Sequence, residues 1–210
     1  MSLLWILLVI AVVVWMGFYV VAKCGEPLSL KCAQLWWVVM GIIAEGIVIS
    51  FAFAGREMPE KLLFGVFAGC LIFACITDVV MCQVYCFVWW VGMFAGVLLL
   101  WAFCGRVYLP TLFPFVICNL LIFGLLQYGV FSRTYGKADC HAFFTCALVE
   151  TALGIGMEGY LLHMILAYVL LIVHQLKRKN VSKYGKLLYP VPFLPYITPS
   201  FWIMVLVYRY

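Results

Sequence analysis

Tyr135-Gly136-Lys137-Ala138-Asp139-Cys140-His141-Ala142-Phe143-Phe144 is a short polar break between two long apolar runs. Asp139 opens the second run, three residues after Gly136. A carboxylate at the mouth of a membrane helix is expensive and needs a reason. Asp78 closes another apolar run, 61 residues earlier. Whether these runs cross a membrane decides the fold, and whether the two aspartates meet decides the function.

The composition answers the first question. Of 210 residues, 68% are hydrophobic and 10% charged, with a mean hydropathy of +1.18. A soluble domain is roughly half apolar and a quarter charged. The expected fold is therefore all-α, a polytopic membrane helix bundle forming a single domain over residues 1–210. Apolar runs long enough for the roughly 30 Å hydrocarbon core give about eight transmembrane helices, with six to eight as the range. They start at Leu3, Leu35, Leu62, Val84, Thr111, Ala138 and Tyr160, with a last, proline-rich segment from Pro190. The first lacks a basic start and a small-residue cleavage site, so it is expected to be a retained anchor. Asp78 is expected to end the third span, and Gly105-Arg106 with Pro110 to form a tight turn after the fourth.

Charge orients the bundle. With the basic cluster Lys177 to Lys186 placed in the cytoplasm, alternation puts nine basic residues inside, against Arg56, Lys61, Arg106 and Arg209 outside. That satisfies the positive-inside rule. The same alternation places the N-terminus outside and both Asp78 and Asp139 at the cytoplasmic face, although neither entered the count. The net charge of +5 sets topology here and is no sign of a nucleic-acid partner.

Two carboxylates held close cannot both ionise cheaply, so the pair titrates as a unit. This is the condition for aspartyl protease chemistry: one member takes a proton from water while the other donates to the peptide carbonyl. Gly136 would allow a sharp turn or a close substrate approach. Asp139 would face the positive end of a helix dipole, and Lys137 would favour its ionised form or point to headgroups. Taken singly, each residue reads more simply: Gly136 to Asp139 as a helix cap, Asp78 as an interfacial polar end.

Three stretches in order carry a likeness to a known family. They are Ala74-Cys75-Ile76-Thr77-Asp78, Tyr135-Gly136-Lys137-Ala138-Asp139 and Val191-Pro192-Phe193-Leu194-Pro195-Tyr196-Ile197. Together they resemble the type IV prepilin peptidase family, membrane aspartyl proteases with a GxGD-type motif, over roughly Leu62 to the end of the chain. The resemblance implies catalytic Asp78 and Asp139, supported by Gly136, Lys137 and Ala138. It implies a prepilin-like substrate cut at the cytoplasmic boundary of a bacterial plasma (inner) membrane, in type IV pilus assembly or secretion, with no cofactor and no metal. The motif's second glycine is Ala138 here, which a left-handed backbone would strain. The residues following Asp78 lack the family's basic and proline positions. The zinc-binding insert of the longer members is absent, so the likeness is to the short forms, without N-methyltransferase activity.

Other polar residues read as structural. His141 points away from Asp139, and His163 with His174 lacks a third metal ligand. Glu150 and Glu158 are expected in solvent near the outer boundary, and Glu45 as the one buried acid, bonded to a neighbouring helix. The cysteines, Cys70, Cys75 and Cys146 among them, read as packing thiols, and Cys82 with Cys86 makes no paired zinc pattern. Trp36, Trp37, Trp89, Trp90 and Trp202 read as interface anchors. Two alternatives stay open: a non-catalytic membrane scaffold or pilus-assembly factor of the same fold, and a small ion or metabolite transporter, against which the lack of an inverted repeat counts. The substrate's identity and the oligomeric state are not encoded in any motif.

Overall fold

The computed structural model describes residues 2–24, 32–107, 113–177 and 191–208. Glu26, Pro27, Lys31, Pro110, the cluster from Arg178 to Lys186, Pro190 and Arg209 lie outside them. Among the described residues all regular structure is helical, as backbone in hydrocarbon requires. The helices are α1 (Ser2–Lys23), α2 (Cys32–Ala52), α3 (Met58–Met81), α4 (Cys86–Val107), α5 (Phe113–Leu125), α6 (Lys137–Ala152), α7 (Met157–Lys177) and α8 (Leu194–Val207). Six segments are long and apolar enough to cross a membrane: α1 to α4, α7, and α5 continued to Arg133. α6 and the apolar α8 are shorter, at 16 and 14 residues. The chain is an integral membrane bundle.

α3 is the most enclosed of the six long spans and packs on α1, α2, α4 and α8. Pro59 sits in its first turn, where a missing N–H costs nothing. The helix runs one turn beyond Asp78, because Val79, Val80 and Met81 continue the apolar pattern. Asp78 therefore lies within the last turn and does not end the span. Cys82 closes the helix with a left-handed φ of 51° and donates its N–H to the Asp78 carbonyl at 2.9 Å. α4 likewise continues through Gly105 and Arg106 to Val107, so the turn expected there begins later.

Between helices in lipid, contact comes from close packing and not from hydrophobic transfer. The α1–α3 seam shows this at Gly69, where an added Cβ would lie 2.7 Å from Val13 Cβ and 3.2 Å from the Ile10 carbonyl oxygen. Neither atom can swing away. Gly69→Leu is expected to part the two helices and cost about 1–3 kcal/mol, read as a lower unfolding midpoint in detergent. An unchanged midpoint would contradict this seam. A Cβ at Gly46 would meet the Cδ2 end of Leu7, a side chain that can turn aside, and one at Gly41 would meet Ile72 at an ordinary 3.8 Å.

α6 spans roughly 24 Å at 1.5 Å per residue, less than the hydrocarbon core. It is surrounded by α4, α5, α7 and α8. This explains Glu150, which is fully buried and not solvated as expected. Its carboxylate Oε1 lies 2.8 Å from His163 Nδ1 on α7. Glu158 is exposed. The turn back into α7 needs Gly154, whose φ is 84°. Trp89 and Trp202 are core residues at 3% and 6% exposure, not interface anchors: each faces a neighbouring helix. Trp36, Trp37 and Trp90 are exposed.

Candidate active site

The three quoted stretches meet at one end of the bundle. Asp78 stands in the last turn of α3 and Asp139 in the first turn of α6. α8 begins beside them. Leu194, its first residue, donates its backbone N–H to Asp78 Oδ2 at 3.0 Å, and the Phe193 N–H also points at this carboxylate. The first N–H groups of a helix lack internal partners and carry partial positive charge. A carboxylate there is both capped and oriented. Pro195 in the same turn leaves no N–H behind to satisfy.

Asp139 reaches back one turn. Its Oδ2 accepts the Gly136 N–H at 3.2 Å. The cap reading of this residue is thus real, and it uses one of two carboxylate oxygens. The Asp139 and Asp78 carboxylates lie within electrostatic reach of each other. Both side chains are half-buried, so the pair is neither sealed off nor fully hydrated.

The motif backbone needs no special conformation. Gly136 is extended, with φ −64° and ψ 155°, which any residue adopts. Ala138 is the second residue of α6, and Cys82 is the one non-glycine residue with positive φ among the described residues. The strain expected for an alanine in place of glycine does not arise, since the right-handed helix suits alanine well. Lys137 is exposed.

Beneath the turn lies a support that the sequence did not disclose. After Leu125 the fifth span widens into a π-helical turn, Leu126–Val130, and ends in a 3₁₀ turn, Phe131–Arg133. π-Turns often mark functional sites. Gln127 within it is fully buried. It accepts a hydrogen bond from the Tyr135 hydroxyl, donates Nε2 to the Met164 sulfur at 3.1 Å, and accepts the Cys140 thiol on its carbonyl at 3.2 Å. A lone amide in an apolar run was the one available signal. Burial pushes the Tyr135 phenol well up, so it stays a donor. Tyr135→Phe keeps the ring but leaves the Gln127 amide oxygen without its donor. We expect a loss of about 1–3 kcal/mol in thermal unfolding, largely recovered in the Tyr135→Phe, Gln127→Leu double variant. A single variant as stable as the parent would contradict the assignment.

Phe193 closes the site from the α8 side. Its ring centroid lies 5.0 Å from Tyr168, 5.8 Å from Phe143 and 6.1 Å from Tyr135. This aromatic wedge fixes the start of α8 against the Gly136–Asp139 turn. One helical turn further along α8, the Ile197 carbonyl faces His163 Nε2 at 3.1 Å. A carbonyl only accepts, so Nε2 is the donor in this contact, and Nδ1 faces Glu150. His163 thereby ties α6, α7 and α8 together.

The remaining candidates fall elsewhere. His141 bonds the Tyr128 hydroxyl through Nδ1 at 2.6 Å, away from Asp139. His174 bonds Tyr196, so the two α7 histidines both serve α8 and do not form a pair. Glu45 is buried at 6% exposure, but it is not the one buried acid, because Glu60 and Glu150 are buried as well. Cys70, Cys140 and Cys146 are buried, while Cys82 and Cys86 are exposed.

The fold and site thus define a polytopic helical membrane protein with two carboxylates within electrostatic reach of each other at one end. Comparison with protein-family models, curated proteins and solved structures gives no match.

Proposed function

We propose that this protein is a membrane aspartyl endopeptidase of the prepilin type. The observation that carries the reading is the meeting of Asp78 and Asp139, from spans far apart in sequence, within electrostatic reach of each other. The pair holds one proton between two carboxylates. The ionised member takes a proton from water, whose oxygen attacks the scissile carbonyl. The protonated member donates to the carbonyl oxygen. Collapse of the tetrahedral intermediate returns a proton to the departing amine. The reaction consumes one water and needs no cofactor.

The substrate is a prepilin-like protein with a basic leader in the cytoplasm and an apolar segment in the bilayer of a bacterial plasma membrane. The charge asymmetry of the loops supports a cytoplasmic position for both acids. Half-exposed carboxylates at one end of a bundle suit a bond at the boundary, where water is at hand. Co-expression with prepilin-like proteins of the same genome tests the reading. The expected result is a shortened product whose new N-terminus lies at the junction of leader and apolar segment. If every candidate stays full-length beside a well-folded protein, the non-catalytic scaffold reading takes over, with Asp139 acting as a cap alone.

A further inference from the structure

A groove of about 350 Å³ runs between α2, α3 and α8, lined almost wholly by apolar atoms. It shares α3 with the candidate site: Cys75, about one turn before Asp78, lies in its wall and within electrostatic reach of that carboxylate. Cys75 and Thr198 close its floor through a 3.0 Å contact between Sγ and Oγ1. Exposed Trp37 and buried Glu45 both line it from α2. Glu45 is more than nine-tenths buried. Trp202 lies beside its carboxyl, but neither the Trp202 indole N–H nor Glu45 Oε2 makes a hydrogen bond. A buried carboxyl oxygen left without a donor is costly.

The dimensions restrict the occupant. Gln34 and Glu45, both in the lining, are separated by roughly 16 Å of helix rise. A helix laid along that length presents a row of side chains at about 5.4 Å per turn, and a groove of about 350 Å³ receives the side chains of one such face. An alkyl chain would fit but would bring no donor for Glu45.

We infer that this groove seats one face of the substrate's membrane segment, with Glu45 accepting a hydrogen bond from a hydroxyl, amide or ammonium side chain in it. The inference rests on the peptidase reading and adds a specificity residue to it. Cys75, about one turn from Asp78, is within electrostatic reach of Glu45. The recognised side chain accordingly lies about one to two helical turns into the apolar segment.

The test uses a prepilin-like chain with a Leu/Ala membrane segment carrying a single Asn, moved through successive positions. The wild-type protein is expected to cut one register about three- to tenfold faster than the rest, the range of a single interhelical hydrogen bond. Glu45→Ala is expected to flatten that profile. Gly41→Leu, which fills the groove one helical turn from Glu45, is expected to slow every register. In parallel, a benzophenone side chain at Trp37 in the Asp139→Asn background is expected to crosslink the Asn-bearing chain. The same group at Trp101, which is 82% exposed on α4, is expected not to. A flat wild-type profile, a preference that survives Glu45→Ala, or equal crosslinking at both positions would each overturn the inference. If the wild type cuts no register, the peptidase reading fails separately. The groove then stands on a Trp37 crosslink lost in Gly41→Leu, and falls without one.

Discussion

Asp78→Asn and Asp139→Asn are each expected to lower cleavage of a prepilin-like substrate by about 10²- to 10⁴-fold, the scale of a lost acid–base group, with the protein still folded. The substitution suits this site. Asparagine keeps an oxygen that can accept the Leu194 N–H held by Asp78 Oδ2 at 3.0 Å. It also keeps one for the Gly136 N–H held by Asp139 Oδ2 at 3.2 Å. The capping is retained, and only the capacity to hold and release a proton is lost. Because the two residues act as one unit, the double variant should lose no more than either single one. Product formation is measured by mass spectrometry, and folding by the unfolding midpoint. Normal cleavage by either variant would remove that residue from the chemistry. Loss of cleavage together with loss of folding would instead assign it to the cap.

His163→Leu is expected to be among the most destabilising single substitutions in the chain. Glu150 is fully buried and meets His163 Nδ1 at 2.8 Å. Removing one partner of a buried pair leaves the other uncompensated, at about 3–5 kcal/mol. The Ile197 carbonyl, 3.1 Å from His163 Nε2, also loses its donor there. Replacing Glu150 and His163 together by leucine should recover much of the loss, because no unpaired acid remains. Thermal unfolding of the wild type, both single variants and the double variant forms a complete cycle. A His163→Leu protein as stable as the wild type would show that the pair bears no weight. Since Ile197 lies one turn from Leu194, the single variant should also loosen the N–H that orients Asp78, and cleavage should fall with stability.

The sequence disclosed the features that depend on span order and composition. Helix number follows from the length of the apolar runs, and Asp78 and Asp139 fall at the same end because one lies in the last turn of an odd span and the other in the first turn of an even one. The Val191–Ile197 stretch, singled out in the sequence by its prolines and Phe193, is where α8 begins beside Asp78. What stayed hidden depends on how helices face one another. Glu150 reads as solvated because it stands near the end of an apolar run, but the helices packed around α6 enclose it. Trp89 and Trp202 lie near span ends yet turn inward, a matter of azimuth that an apolar run on all sides does not encode. The π-turn around Gln127 leaves no trace beyond one amide. Ala138 looked like a break in the motif only while a left-handed backbone was assumed; the helix begins one residue earlier and makes alanine an ordinary choice.

The central claim is that Asp78 and Asp139 together activate water against a peptide bond. The most direct measurement uses purified protein in proteoliposomes with a purified prepilin-like substrate, in water enriched in ¹⁸O, under single-turnover conditions. The wild type should release a leader whose new carboxyl group carries one ¹⁸O, while the Asp78→Asn, Asp139→Asn double variant should leave the substrate whole. A substrate left intact by the wild type, or cut equally by the double variant, would contradict the account.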